Sequence, residues 1–482
     1  MSATLVRPGV NVTLRNLPPV RSSPTDTGMW MVVGLTDSGP VVPVTINSMT
    51  DFVTQFGPRV SYSVLYDALD MYFREGGAHA IVARVVGPAA VTATKNLLDA
   101  SSGVSLVASA LGPGASGNNL KVGVRSGQTG GSFQVFVQDA GNNEVESTPD
   151  CLTQQAAVLW SAYSNYIRLA LGASTLIPAN IAAAALAGGN DDRANITDAQ
   201  WLNALNALTT DLGPGQVSAP GRTTDIGHQQ LVDHAGNHKR VAILDAPDTP
   251  TTATLLSSAV GARTGNQRFA AMFWPWCIVP GVVSGTTRSV PPSALIAGLC
   301  ARNDGRGLGQ DSPAAGDNGV SIYAQDLTQQ PVSDTVRQQL NTGCIDVIRE
   351  MFGGIRVYGW RSLVDPNADP TWVNFGCARL YMAIAADALA IGEGFVFDKI
   401  DGAGGTISAF NGALAGMLQG YYNTGDLYGA SASDAFFVDT GSQVNTPQTI
   451  ANHELHAVLY VRMSEFAEMV QIEVYKKPIT EA

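Results

Sequence analysis

The sequence predicts a multidomain chain of mixed α/β and α+β class, and three observations carry that expectation. A strand–helix–strand order spans Met29 to Val86 and resumes from Val217, the pattern that builds layered α/β domains. Between them, from about Gly87 to Gly221, short alternating runs separated by Gly-rich turns replace that order, as in an inserted, more exposed β-rich domain. Both ends of the chain alternate with period two: Val10, Val12 and Leu14 near the start, and Val470, Ile472 and Val474 near the end. Such alternation describes a half-buried strand.

The elements follow in order. Met29–Leu35 is a short apolar run stopped at Gly39-Pro40, hence a buried strand. Ser48 to Phe56 reads as a helix capped by Ser48 or Thr50, with Phe52, Val53 and Phe56 on one face. Tyr62 to Arg74 places Leu65, Leu69, Tyr72 and Phe73 at helical spacing and stops at Gly76-Gly77. Ala80–Val86 is the next strand. In the inserted region, Leu120–Arg125 and Phe133–Gln138 form an antiparallel pair around Gly127–Gly131. Gln154 to Leu171 reads as helical, Ala182 to Gly189 runs into a Gly-Gly-Asn-Asp turn, and Asp198 to Leu208 is helical. The α/β order then returns, with strands ending at Val217–Pro220, Arg240–Asp245, Ala270–Trp274 and Gly354–Val357, and helices at Asp225–Ala235, Thr252–Arg263 and Pro292–Asn303. Two long apolar helices, Phe375–Ala390 and Ile407–Asn423, precede strands at Ala435–Val438 and Leu455–Val461.

A chain of 482 residues supports two to four domains. Charged residues make up only 14% and the net charge is −12. That balance argues against a nucleic-acid-binding surface and fits either a surface largely covered by neighbours or a Gly/Ala/Thr-rich composition. The five cysteines are odd in number and lack CxxC spacing, so buried thiols in a reducing compartment are expected. Met1–Arg7 lacks the apolar core of a secretory leader. No uninterrupted apolar run reaches about 18 residues, so no membrane span is expected. The first alternating strand precedes the Pro/Ser-rich stretch Leu17–Pro24, a spacer composition. A tethered strand must join a sheet edge, in its own chain or in a neighbour.

Chemical motifs are sparse. His453-Glu454-Leu455-His456 spaces its histidines three apart in a strand-like segment, whereas a zincin site needs four on a helix. Asp245 closes an α/β strand, a common catalytic position, but no G-x-S-x-G elbow accompanies it, and His228, His234 and His238 have no obvious serine partner. Gly112–Asn119 is Gly-rich without a Walker lysine. Asp191-Asp192 reads as a solvated turn, and Phe273-Trp274-Pro275-Trp276 as a buried corner. No catalytic, cofactor or metal residue is assigned. A soluble α/β hydrolase is the alternative reading.

Taken together, ordered segments of the chain resemble contractile tail sheath proteins of phages and related injection machines. Arg7-Pro8-Gly9-Val10-Asn11-Val12 is similar to the family's opening, and Val33–Pro40, Phe73–Gly77 and Ala83–Val85 to its first α/β block. Ala115–Leu120 resembles the G-N-N stretch leading into the inserted domain. Trp274–Trp276, Val290–Ser293, Ala301–Asp304, Gly359–Leu363, Phe395–Phe397, Gly425–Gly429, Ala435–Val438 and Asn445-Thr446 follow in place. Where the family often has Pro-Ala-Glu-Phe before its last strand, this chain has Ser464-Glu465-Phe466-Ala467-Glu468. The resemblance implies a central subtilisin-like α/β domain without a triad (residues 25–88 and 215–365) and an inserted outer domain (89–214). It also implies an N-terminal arm and linker (1–24) and an α+β C-terminal domain toward an inner tube (366–482), completed by exchanged terminal strands. Val10, Val12, Leu14, Val470, Ile472 and Val474 would make those inter-subunit strands. The implied protein is a structural, non-enzymatic subunit without cofactors. It would stack as hexameric rings around a tail tube protein, meet baseplate and tail terminator proteins, and contract. It would bind no nucleic acid, insert in no membrane, assemble in the host cytoplasm and reside in a virion tail.

Overall fold

The computed structural model describes residues 26–330 and 333–476. The segment holding Val10, Val12 and Leu14, and the Leu17–Pro24 stretch, lie outside the described residues.

The chain opens with β1 (Trp30–Gly34), β2 (Val44–Ile46), α1 (Met49–Phe56), α2 (Leu65–Glu75) and β3 (Ala80–Arg84). Ser48 caps α1 by accepting the Asp51 N–H at 3.1 Å, supplying one of the acceptors that a helix start lacks. Helix α2 begins three residues later than its apolar spacing suggests and ends at Gly76, whose φ of +115° suits glycine.

The inserted region carries β4 (Thr92–Leu98), β5 (Val104–Pro113), β6 (Lys121–Ser126), β7 (Phe133–Gln138), β8 (Glu144–Ser147), α3 (Gln154–Ser161), β9 (Ile167–Leu171), β10 (Ile181–Ala185) and α4 (Asp198–Asn206). Two antiparallel sheets, β4-β5-β9 and β10-β6-β7-β8, enclose a separate core from Ala93 to Leu186. The helix expected from Gln154 to Leu171 stops at Ser161 instead. There the Ser161 hydroxyl donates to the Val158 carbonyl and accepts the Leu169 N–H. Ile167 and Leu169 then alternate inward against β5; burial against a neighbouring strand overrides helical propensity. Ala204, Leu205 and Leu208 lie in the large central core, not in that of the insert.

The α/β order resumes with β11 (Gln216–Ser218), α5 (Asp225–Asn237), β12 (Val241–Asp245), α6 (Thr252–Gly261), β13 (Ala270–Trp274), β14 (Cys277–Pro280), β15 (Thr287–Val290), α7 (Pro292–Gly305), β16 (Asp326–Leu327), α8 (Asp334–Thr342), β17 (Ile345–Met351) and β18 (Gly354–Val357). The main sheet runs β18-β17-β13-β12-β11-β1-β3-β2. Six strands from β3 to β17 are parallel, with antiparallel β2 and β18 at the edges. Chain order reverses beside β1, the mark of a doubly wound sheet. Its inner strands are buried along their whole length, which explains their continuous rather than alternating apolar runs.

The last part holds α9 (Phe375–Glu393), α10 (Gly405–Thr424), α11 (Ala432–Ala435), β19 (Phe436–Asp439), α12 (Pro447–Ala451) and β20 (Val458–Val461). Helix α9 is long and apolar enough by composition to cross a membrane, yet half of it is buried inside the protein. It is apolar because two cores share it: Phe375, Ala378 and Met382 belong to the central core, Leu380 and Ile384 to a smaller one with Phe410, Leu414 and Leu418 of α10. Arg379 on α9 is wholly buried and donates through Nη2 to both carboxylate oxygens of Asp304, at 2.8 and 2.7 Å. Thr27 also donates to Asp304.

At the same seam the Asp311 carboxyl lies beside the buried Asp426 carboxyl. Desolvation first, then this neighbour, push Asp311 well above the ordinary carboxylate range. A carboxyl that holds its proton more tightly folded than unfolded stabilises most at low pH, and loses that contribution as pH rises through the folded value. Thermal unfolding is therefore expected to show stability falling as pH rises above the ordinary carboxylate range, with Asp311→Asn flattening that slope; an unchanged slope in the variant would remove Asp311 as its source.

Candidate subunit-joining surface

Strands β19 and β20 form a two-stranded antiparallel sheet, with Val438 opposite Leu459 and Phe437 opposite Tyr460. Val438, Leu459, Phe436 and Val461 face the core shared with α9 and α10. Phe437 and Tyr460 stack at 6.2 Å on the other face, 59% and 56% exposed. Asn411 of α10 donates to the Val438 carbonyl at 3.0 Å. Among the described residues no strand pairs with the outer edge of either β19 or β20. An isolated two-stranded sheet is marginal in water, and an apolar edge invites another strand.

Beyond β20 the chain turns back toward the main sheet. Ser464 N–H donates to the Asp426 carbonyl at 2.9 Å. Glu465 accepts from the Asn374 amide at 3.2 Å, and Phe466 packs on the central core. Arg361 donates to both carboxylate oxygens of Glu468, Nε at 2.7 Å. The Glu-Phe of the sheath-like stretch is thus an anchor on the α/β domain. A cleft of about 650 Å³ lies alongside, lined by Phe466, Met469, Arg337, Arg349 and Tyr358 among others.

After the anchor, the expected strand at Val470–Val474 joins no ladder among the described residues. Val470, Ile472 and Val474 are 74%, 79% and 90% exposed. Alternation marks a segment expected to pair, but burial of one face needs an acceptor edge, and none lies beside it among the described residues. The other half of the predicted pairing set, Val10, Val12 and Leu14, lies outside the described residues.

The constellations weighed as chemistry have other uses. Asp245 does meet a serine and a histidine, which the sequence did not reveal. The Ser293 hydroxyl donates to Asp245 Oδ2 at 2.9 Å, and the Ser293 N–H donates to Oδ1 at 2.7 Å. Gly221 N–H donates to Oδ2 at 3.0 Å. Helix α7 starts Pro291-Pro292 without a side-chain cap of its own, so Asp245 supplies the acceptor from another strand. His228 Nε2 meets the Asp245 backbone carbonyl at 3.1 Å, not the carboxylate. Burial pushes Asp245 up to about 6 and His228 down to about 4. A nucleophile needs a base on its hydroxyl; here that hydroxyl is spent on a carboxylate, with all three side chains buried.

In doubly wound sheets ligands sit outside the strand ends where the order reverses. Here Leu65 lies directly against Gly34 at the end of β1, and Val64, Trp276 and Pro291 crowd Gly221 beyond β11. The Gly-rich loop joins domains: a Cβ on Gly112 would fall 2.0 Å from the Gly39 carbonyl oxygen, and the Ser116 hydroxyl donates to the Asp37 carbonyl at 2.9 Å; within the insert, Asn118 exchanges two hydrogen bonds with Gly189, at 2.9 and 2.8 Å. Asp191 and Asp192 accept from Arg193 and Asn195 within their own turn, and Asp192 also accepts the Ala89 N–H at 2.8 Å from 103 residues away. Trp274 and Trp276 donate to the Thr249 and Ala246 carbonyls, both at 3.0 Å. No cluster of three metal-ligating side chains occurs among the described residues; His456 pairs with Glu454 at 3.2 Å.

No family model and no curated protein matches this chain. Solved structures do. The helical sheath of the anti-feeding prophage in its contracted state is 18% identical, with a TM-score of 0.59, over 98% of this chain and 100% of that chain. A sheath tail protein from Listeria innocua is 14% identical, with a TM-score of 0.61, over 87% and 91%. The contracted PVC sheath complex of an extracellular contractile injection system is 15% identical, with a TM-score of 0.57, over 99% of each. The fold of this chain is that of contractile tail sheath proteins, as its sequence resemblance implied.

A serine-reactive fluorophosphonate is expected to leave Ser293 unlabelled in the folded protein. Stoichiometric labelling there would revive the hydrolase reading.

Proposed function

We propose that this protein is the structural subunit of a contractile sheath, stacking as hexameric rings around a tail tube and contracting to drive the tube through an envelope. The observation that carries the reading is the agreement in fold with sheath proteins over nearly the whole chain. The open-edged β19–β20 sheet and the unpaired apolar tail of the same molecule support it. In this reading the exchanged strands are Val10, Val12 and Leu14 of the N-terminal arm and Val470, Ile472 and Val474 of the tail, each added to the small sheet of a neighbour. Backbone hydrogen bonds hold such a joint, and the alternating apolar side chains set its register.

Contraction then follows as rigid-body movement of subunits whose strand joints stay paired. The free energy is stored at assembly, so no nucleotide or cofactor is required, and the subunit is not an enzyme. Its partners are further copies of itself, the tube protein, and baseplate and terminator proteins. Its place is the tail of a phage or phage-like particle assembled in the host cytoplasm.

Negative-stain electron microscopy of the purified chain, alone and with its tube protein, is expected to show hollow tubes or stacked rings. Dispersed particles under both conditions would overturn the proposal. Deleting residues 1–16 is expected to leave a folded monomer that does not polymerise. Ile472→Asp places a carboxylate on the face proposed to be buried in the joint. It is expected to abolish assembly without lowering monomer stability, because Ile472 is exposed in the monomer; Glu473→Lys on the opposite face is expected to assemble. Equal impairment by the two would show that the faces are wrongly assigned.

A further inference from the structure

The tail does not leave the molecule from the sheet it follows. After β20 it crosses from the small C-terminal core to the α/β domain and is held there by side chains from two places in the sequence. Arg361 lies just beyond β18, and Asn374 is the N-cap residue of α9; their backbones pair as an antiparallel bridge. From this paired platform Arg361 reaches Glu468 through both carboxylate oxygens, and Asn374 reaches Glu465. Phe466, between the two glutamates, packs against the central core. The platform is itself held from below. Arg361 N–H donates to Asp346 Oδ1 at 2.8 Å, and the Arg361 guanidinium donates to the Asn341 carbonyl at 3.2 Å. Asp346 is fully buried, and that burial drives its carboxyl well above the ordinary range.

The two-point hold has a geometric consequence. An extended chain advances at most about 3.3–3.6 Å per residue, so Val470, two residues past Glu468, stays within roughly 7 Å of its anchor. The start of the exchanged stretch is therefore fixed on the α/β domain, not on the β19–β20 sheet, and reach grows only with each residue beyond it.

We infer that Arg361 and Asn374, with the seat of Phe466, form a clamp that positions the exchanged C-terminal strand, so that the strand reports the position of the α/β domain to the neighbouring subunit. This rests on the sheath reading above. Arg361 is a positioning residue: it touches the tail before the exchanged stretch, and the bidentate arginine–carboxylate pair gives it a defined geometry as well as strength.

The test uses the full chain and the protease Glu-C, which cuts after glutamate. Glu473 lies in the free segment and Glu465 in the clamp. In the wild type, cleavage after Glu473 is expected to be fast and cleavage after Glu465 slow. Arg361→Glu is expected to accelerate cleavage after Glu465 by about tenfold or more, because local opening governs cutting, while the melting transition of the whole protein stays cooperative. The pair Arg361→Glu with Glu468→Arg is expected to restore slow cleavage after Glu465, a rescue that a general loss of packing would not give. Should Arg361→Glu fail to fold, Glu468→Gln removes the same ion pair from the solvent side. In assembly, the single variants are expected to give fewer or shorter sheaths and the reversed pair to recover them. Unchanged cleavage after Glu465 in the single variants would overturn the clamp. An opened clamp with sheaths of wild-type yield and length would overturn its positioning role. A wild type that never assembles, with or without tube, overturns the sheath reading instead, and the cleavage comparison still decides the clamp.

Discussion

The arrangement depends on one helix buried in two cores. The N-terminal half of α9 lies in the central core, and Leu380 and Ile384 reach the smaller C-terminal one. Its single cation at the crossing, Arg379, has no access to solvent and is matched by Asp304 at the end of α7. A buried charge left without its partner costs about 3–5 kcal/mol, so α7 and α9 keep their relative placement. Two features of the proposed joint grow from this helix. It packs on α10, which carries the inner face of β19, and its N-cap residue, Asn374, reaches Glu465 of the tail.

Polar groups in catalytic-looking places are consumed in holding the scaffold together. Asp245 caps a helix that begins with two prolines and so lacks a donor-matching side chain of its own. Arg84, wholly buried at the end of β3, donates to the Gly39 and Pro113 carbonyls, and Asn118 ties the root of the inserted domain through Gly189. Buried donors and acceptors must be matched; in this chain the matching is done by residues that connect the insert and the loops to the main sheet. At the reversal of the doubly wound sheet, Leu65 and Val64 lie against the glycines of the strand ends, and fold alone does not assign chemistry.

Much of the local structure was legible in the residues. The strands at Trp30–Gly34, Val241–Asp245 and Ala270–Trp274 announce themselves as unbroken apolar runs, and Ser48 and Gly76 mark helix ends by the hydrogen bond and the left-handed backbone that each supplies. The alternation of Val470, Ile472 and Val474 predicted a strand, and among the described residues that segment pairs with none. These are properties of a residue and its near neighbours, set by sterics, capping and periodicity. Other outcomes rest on what covers a segment. Ile167–Leu171 is a strand because β5 lies beside it, although the run from Gln154 suits a helix. Leu205 and Leu208 serve the central core although they lie in the stretch read as the insert. Ser293 and His228 meet Asp245 from 48 and 17 residues away. The tail is anchored by Arg361 across 107 residues and then left bare. Each of these depends on contacts between segments far apart in the chain, whose free energy no local pattern records; the sequence alone determined which pieces can pair or coil, and only the tertiary structure decided which of them found a partner within one molecule.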